Sequence, residues 1–252
     1  MTMSSEDKIR DGIDKVNREE NRDGREISRV VLTAIPWWIK SKRDQGKDPN
    51  SKLTELMHLL FRTLDALYIE TRKLPFYARS GVTGRPKNNP DALIFSLWLK
   101  DTDYVALRSM LALCGDLILI SNKLKTLEGL LELGPLLPPI HKRAKQFQDA
   151  RDFFTHMDEA LRDHSKHAIS GPLKLECGVE FTHNAENNVY VIWHDNALYF
   201  SFEQKPRKIV LTRFEFDEIF NQARQLYGRI IDNPVTQKSR NLIHPDQVYP
   251  LN

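Results

Sequence analysis

The chain has 252 residues, 40% of them hydrophobic and 28% charged, an ordinary composition for a globular protein long enough to bury a real core. Lys and Arg total 37 against 34 Asp and Glu, giving a net charge of +3 and a sequence pI of about 8.7. That balance permits an anionic partner but lacks the excess of a dedicated nucleic-acid binder. Cys114 and Cys177 allow one disulfide by arithmetic, yet Cys114 lies in an apolar helical run, where a buried thiol is expected.

Residues 1–49 divide into an N-terminal charged arm and a Trp-containing segment. The opening MTMSSEDKIRDGIDKVNREENRDGR mixes both charge signs and has no apolar h-region, so no secretory signal is expected and the protein should be cytoplasmic. Alone this arm is disordered, or a helix that needs a partner. EISRVVLTAIPWWIKSK is apolar, with Pro36 expected to interrupt any helix. Trp37 and Trp38 pack on the main body, or serve as a dimer contact or a base-stacking platform. DQGKDPN is a turn-rich linker.

Residues 50–170 form a helical bundle core. Asn50 or Ser51 caps a helix over Lys52–Lys73, with Leu53, Leu56, Leu60, Leu64 and Leu67 as its seam and His58 off it. The loop Pro75–Asn89 is a connector whose Arg79, Arg85 and Lys87, beside two glycines, can meet phosphates. Pro90 behind Asn89 starts a further helix, with a possible break at Asp101-Thr102-Asp103. Leu111–Ile120 is apolar nearly all round, which marks a buried central helix too short to span a bilayer. Asp116 inside it requires a partner or a role in a site. Gly134–Pro139, GPLLPP, should force a turn.

Lys142–Ser165 reads as one long amphipathic helix. Phe147, Ala150, Phe154, Met157 and Leu161 make its apolar stripe. Asp152, His156, Glu159 and Asp163 fall opposite, with Arg151 on the flank. Residues 171–212 alternate in character and form a β meander: LKLECGVEF, NNVYVIWH, ALYFSFEQ and RKIVL, with a tight connection at His194-Asp195-Asn196. Residues 213–232 are the final helix, opened by the T-x-x-E spacing of Thr212 and Glu215; its apolar side is Phe216, Ile219, Phe220, Ala223, Leu226 and Tyr227. Residues 233–252 are a polar tail. The fold class is therefore mainly α, a helical bundle with a small antiparallel β meander inserted before the last helix. Helix lengths and the absence of β–α alternation argue against a doubly wound sheet.

Arg151-Asp152-x-x-x-His156 resembles the R-x4-6-H motif of the HEPN superfamily, helical bundles that include many ribonucleases of toxin, phage-defence and RNA-processing systems. The resemblance spans residues 50–167 and the last helix, so the expected fold is HEPN-like. Arg162 to His167 matches the same pattern, but at the helix end rather than beside an intact core seam. The resemblance implies a metal-independent endoribonuclease without cofactors, possible in a defence or toxin–antitoxin setting. His156 would take the proton of a ribose 2′-OH, Arg151 would face the phosphate, and Asp152 would orient the imidazole. Residues five apart on a helix point about 140° from each other, which favours a homodimer sharing its motif helices. RNA, and an antitoxin or other partner protein, are the implied partners. The alternative is a non-catalytic HEPN-like scaffold that binds nucleotide, RNA or protein. A third is an unrelated helical protein docking through its sheet edge. His164, His167 and Asp163 have metal-ligand spacing but sit where a helix end frays. Cys177 has no basic neighbour to activate it.

Overall fold

Two periodicities divide the structure, one of three to four residues through most of the chain and one of two residues near its C-terminal side. The computed structural model describes residues 27–46, 51–74, 101–127, 131–156, 173–174, 180–181, 191–194, 197–202, 205–232 and 249. Among them the fold is mainly helical, with small antiparallel sheets inserted before the last helix. The helices are α1 (Ile27–Asp44), α2 (Ser51–Lys73), α3 (Asp101–Lys125), α4 (Leu137–Lys145), α5 (Gln148–Thr155) and α6 (Arg213–Ile231). A 3-10 helix, Leu131–Leu136, leads into α4.

The chain divides into two compact units. One comprises Met1–Tyr68, Leu117–His141 and Glu218–Asn252; the other comprises Ile69–Asp116 and Lys142–Asp217. In the first, Leu53, Leu60, Leu64 and Leu67 of α2 are fully buried, as the seam requires, and so are Ile219, Phe220, Leu226 and Tyr227 of α6. Each large apolar side chain buried in this way stabilises the fold by about 1.5–3 kcal/mol.

α1 contradicts the expectation of a break at Pro36, because the helix runs through the proline. An interior proline costs about 3 kcal/mol. The same turns bury Ile35, Trp38 and Ile39, and three such burials at about 1.5–3 kcal/mol each outweigh that cost. Trp38 is inside the protein, as expected for packing on the main body, with the Lys42 ammonium 5.5 Å from its ring centre. Trp37 remains half-exposed, with Lys40 at 5.6 Å from its ring. Gly134–Pro139 does not make a turn either. These residues complete the 3-10 helix and enter α4, whose first turn accepts Pro138 and Pro139 because its N–H groups have no intrahelical partner.

α3 is amphipathic rather than apolar all round. Leu107, Met110, Cys114, Leu117 and Leu124 are buried along one side, while Arg108, Ala112, Asp116 and Leu119 are exposed. Asp116 faces outward and so needs no buried partner. Cys114 is a free, buried thiol, and burial raises its pKa far above the ordinary value. Asp103–Lys125 is long and apolar enough to cross a membrane by length and composition, longer than the run of ten read from the sequence; half of that window is buried inside the protein.

In the second unit, β1 (Leu173–Lys174) pairs antiparallel with β2 (Glu180–Phe181), so LKLECGVEF holds two short strands where one was expected. β3 (Val191–His194), β4 (Ala197–Phe202) and β5 (Lys205–Val210) form a three-stranded antiparallel meander in that order. His194 pairs with Ala197 and Phe202 with Lys205, which leaves two residues for each hairpin connection. Ala197 to Phe200 of the central strand are buried, and the edge strand β5 is largely exposed.

The tail carries an anchor that its polar composition hides. Tyr249 is fully buried, donates a 2.6 Å hydrogen bond to Asp65 Oδ1 of α2, and packs on Tyr68 and Phe220. Its φ of +54° lies in the left-handed region that non-glycine residues rarely adopt.

Candidate functional site

The helix carrying the Arg–His pattern is not continuous. At Gln146 and Phe147 the backbone tightens to i→i−3 bonds, Gln146 N–H to Arg143 O at 3.2 Å and Phe147 N–H to Ala144 O at 3.1 Å. Phe147 stacks on Phe216 of α6, centroids 5.1 Å apart and 9° from parallel. Its carbonyl accepts the first bond of α5, from Arg151 N–H at 2.9 Å. Over the described part of Lys142–Ser165, residues 142–156, the expected long helix is therefore two helices, α4 and α5, with α5 ending at Thr155. Met157 and Leu161 of its stripe, the second match Arg162 to His167, and Asp163 lie outside the described residues.

α5 lies between α3 and the sheet within the second unit. On the sheet side Phe153 meets Phe200 of β4 at 5.4 Å, and Asp149 reaches Arg207 of β5 at 3.6 Å. On the α3 side Phe154 packs on Tyr104 at 5.8 Å. Phe147, Ala150 and Phe154 are buried, so the inner stripe stands as far as it is described. Arg151 crosses α3 at Gly115. A Cβ there would lie 2.8 Å from Arg151 Nε and 3.5 Å from its Cδ and Cγ, so the glycine is the notch that admits the arginine.

Arg151 Nη1 donates to Asp152 Oδ1 at 2.5 Å, with the side chains 36% and 24% exposed. An ion pair this wet contributes at most about 1 kcal/mol to stability. His156 caps the helix end and is exposed; its backbone N–H donates to Asp152 O at 3.0 Å, and its φ of −103° departs by about 40° from the helical value. Arg151, Asp152 and His156 are thus brought within one turn and a half. Asp152 carries the guanidinium on its carboxylate and the histidine's N–H on its carbonyl.

Arg108 is the residue that sequence reasoning passed over. It stands on the exposed side of α3, and its Nη2 donates to Phe154 O, at the C-terminal end of α5, over 3.5 Å. Only its spacing from Gly115, seven residues and about two turns, marked the two as one row. Arg79, Arg85 and Lys87, read as phosphate-facing, lie outside the described residues, as does Cys177. Among the described residues no group of three His, Cys, Asp or Glu side chains could hold a metal ion.

A second pairing of hydroxyl and histidine occurs in the first unit, where Ser121 Oγ stands 3.0 Å from His141 Nδ1. The same hydroxyl donates to Ile118 O at 3.1 Å, and Ser121 is fully buried. The hydroxyl thus stands within hydrogen-bond distance of both the Ile118 carbonyl and the imidazole. With Ser121 fully buried, the pair serves packing rather than a site open to a substrate.

No family model, curated protein or solved structure matches this chain.

Proposed function

We propose that this protein is a HEPN-like, metal-independent endoribonuclease whose site is built on α5 from Arg151, Asp152 and His156. The observation that carries it is the exposure of His156 at the end of α5, about one turn and a half beyond an arginine held by Asp152. An exposed imidazole can take the proton from a ribose 2′-OH as that oxygen attacks the adjacent phosphorus. The P–O5′ bond breaks, the 5′ oxygen leaves with a proton from solvent, and the upstream fragment ends in a 2′,3′-cyclic phosphate. Arginine supplies permanent charge with fork geometry to the crowded phosphate. RNA as substrate, a cytoplasmic location, a homodimer through the motif helix and an antitoxin-like partner belong to the same proposal.

One observation favours the alternative, a non-catalytic HEPN-like scaffold that binds nucleotide, RNA or protein. The stem of Arg151 fills the notch at Gly115 and its Nη1 is occupied by Asp152, an arrangement that packing alone would reward.

Incubation with single-stranded and structured RNA in EDTA, beside His156→Ala and Arg151→Ala, separates the two. Ribonuclease action requires 2′,3′-cyclic ends and a loss of roughly 10²–10⁴-fold in cleavage for His156→Ala. Cleavage by both variants at the level of the parent would sink the proposal, and RNA binding without cleavage by the unaltered protein would leave the scaffold.

A further inference from the structure

We infer that Arg108 of α3 is a second phosphate-binding arginine of this site, and that it, rather than Arg151, stands on the side of His156. The inference rests on the ribonuclease proposal for its substrate, a single-stranded RNA backbone. Two contacts fix how α5 runs along α3. Arg151 meets Gly115, and Phe154, three residues further on, meets Arg108, seven residues earlier. The helices therefore run in opposite directions here, and His156 continues past Phe154 beyond Arg108, away from the notch. Along α3 the notch and Arg108 are separated by about 10 Å at 1.5 Å per residue. A guanidinium folded into the notch is at the far end of this row from the imidazole.

The chemistry of Arg108 suits the role. It is exposed, and its long bond to the Phe154 carbonyl uses one of five N–H donors, leaving a fork for a phosphate. Arg151 is seated on α3 at Gly115 and paired with Asp152, and Arg108 adds a second cationic contact to the backbone of the RNA on the side of His156. This arrangement also removes the 140° difficulty of the six-residue pattern, because the cation beside the base comes from another helix of the same chain.

The test uses the full chain and a short single-stranded 2′-O-methyl RNA, which has no 2′-OH to react, with affinity measured by fluorescence anisotropy across salt concentration. Arg108→Gln keeps an amide donor and loses the charge; Arg108→Lys keeps the charge. Arg108→Gln should weaken binding by roughly 5–10-fold and lower the salt slope by about 0.7, the share of one phosphate contact on a single strand. Arg108→Lys should retain most of the affinity and the slope, and the melting temperature of both should match the parent. Unchanged binding and slope in Arg108→Gln would overturn the inference, as would equal loss in both variants, which would make Arg108 a prop for the Phe154 carbonyl. If the parent binds through Arg108 but cleaves no RNA, the ribonuclease proposal fails and the phosphate site stands. If it cleaves and Arg108→Gln binds normally, the reverse holds; a parent that does not bind overturns both.

Discussion

At Gly115 one missing methyl group decides where an arginine goes. Alanine in a helix interior gains up to about 1 kcal/mol over glycine. Its Cβ would stand 2.8 Å from Arg151 Nε, so the guanidinium has to leave the notch and with it the geometry of the Asp152 pair. The two effects oppose each other, and the displaced side chain is partly exposed and flexible. Gly115→Ala should therefore fold with a stability within about 1 kcal/mol of the parent, measured by urea unfolding. Its RNA cleavage should fall as far as that of Arg151→Ala. Normal cleavage by Gly115→Ala would mean that the seating of Arg151 does not matter to the site. Gly115 was visible in the sequence as a glycine interrupting an apolar helix. What it admits was not, because Arg151 is a long way off along the chain.

At the scale of elements, regular seams were legible and breaks were not. The stripes of α2 and α6 follow a period of three to four, and the residues expected to be buried there are buried, Leu56 alone remaining partly exposed. Pro36 and Gly134–Pro139 were read from local propensity, which tertiary burial and the first-turn tolerance for proline override. The break before α5 left no trace, since Phe147 falls on the inner stripe in one helix or in two; its stacking on Phe216 is a contact between residues far apart in the chain. The C-terminal segment hides a buried contact for a related reason. One tyrosine in a polar tail gives no period, yet Tyr249 is the buried anchor on α2. Removing its hydroxyl leaves the Asp65 carboxylate without that donor, at a cost of about 1–3 kcal/mol. Burial, with Asp65 beside it, also raises the phenol's pKa well above 10.0. A raised pKa means that the unfolded state loses the proton first. The stabilisation is thus whole below about pH 10 and disappears as pH rises through the folded value. Tyr249→Phe should be less stable than the parent at neutral pH, and the gap should narrow above about pH 10 in urea unfolding series. A gap independent of pH would show that the phenol is not held in its protonated form.

For the whole molecule, the question is how many chains make one site. Net charge of +3 on 252 residues provides little long-range attraction for RNA, so under the proposed function binding would have to come from locally placed cations. Arg108 of α3 and Arg151 of α5 belong to a single unit of a single chain. A homodimer through the motif helix would then bring two whole sites into one cleft, where the six-residue pattern alone suggested two half-sites. The distinction can be measured. Light scattering should give twice the 29.3 kDa chain mass. Mixing His156→Ala with Arg108→Gln, after dissociation and reassembly, forms dimers in which each chain lacks a different group. If base and cation come from one chain, every site in the mixed dimer is damaged and cleavage stays at the level of the separate variants. If they come from opposite chains, half of the mixed dimers' sites regain both groups and cleavage recovers towards the parent level. Because α3 and α5 meet inside one chain at both Gly115 and Arg108, the expected result is no recovery.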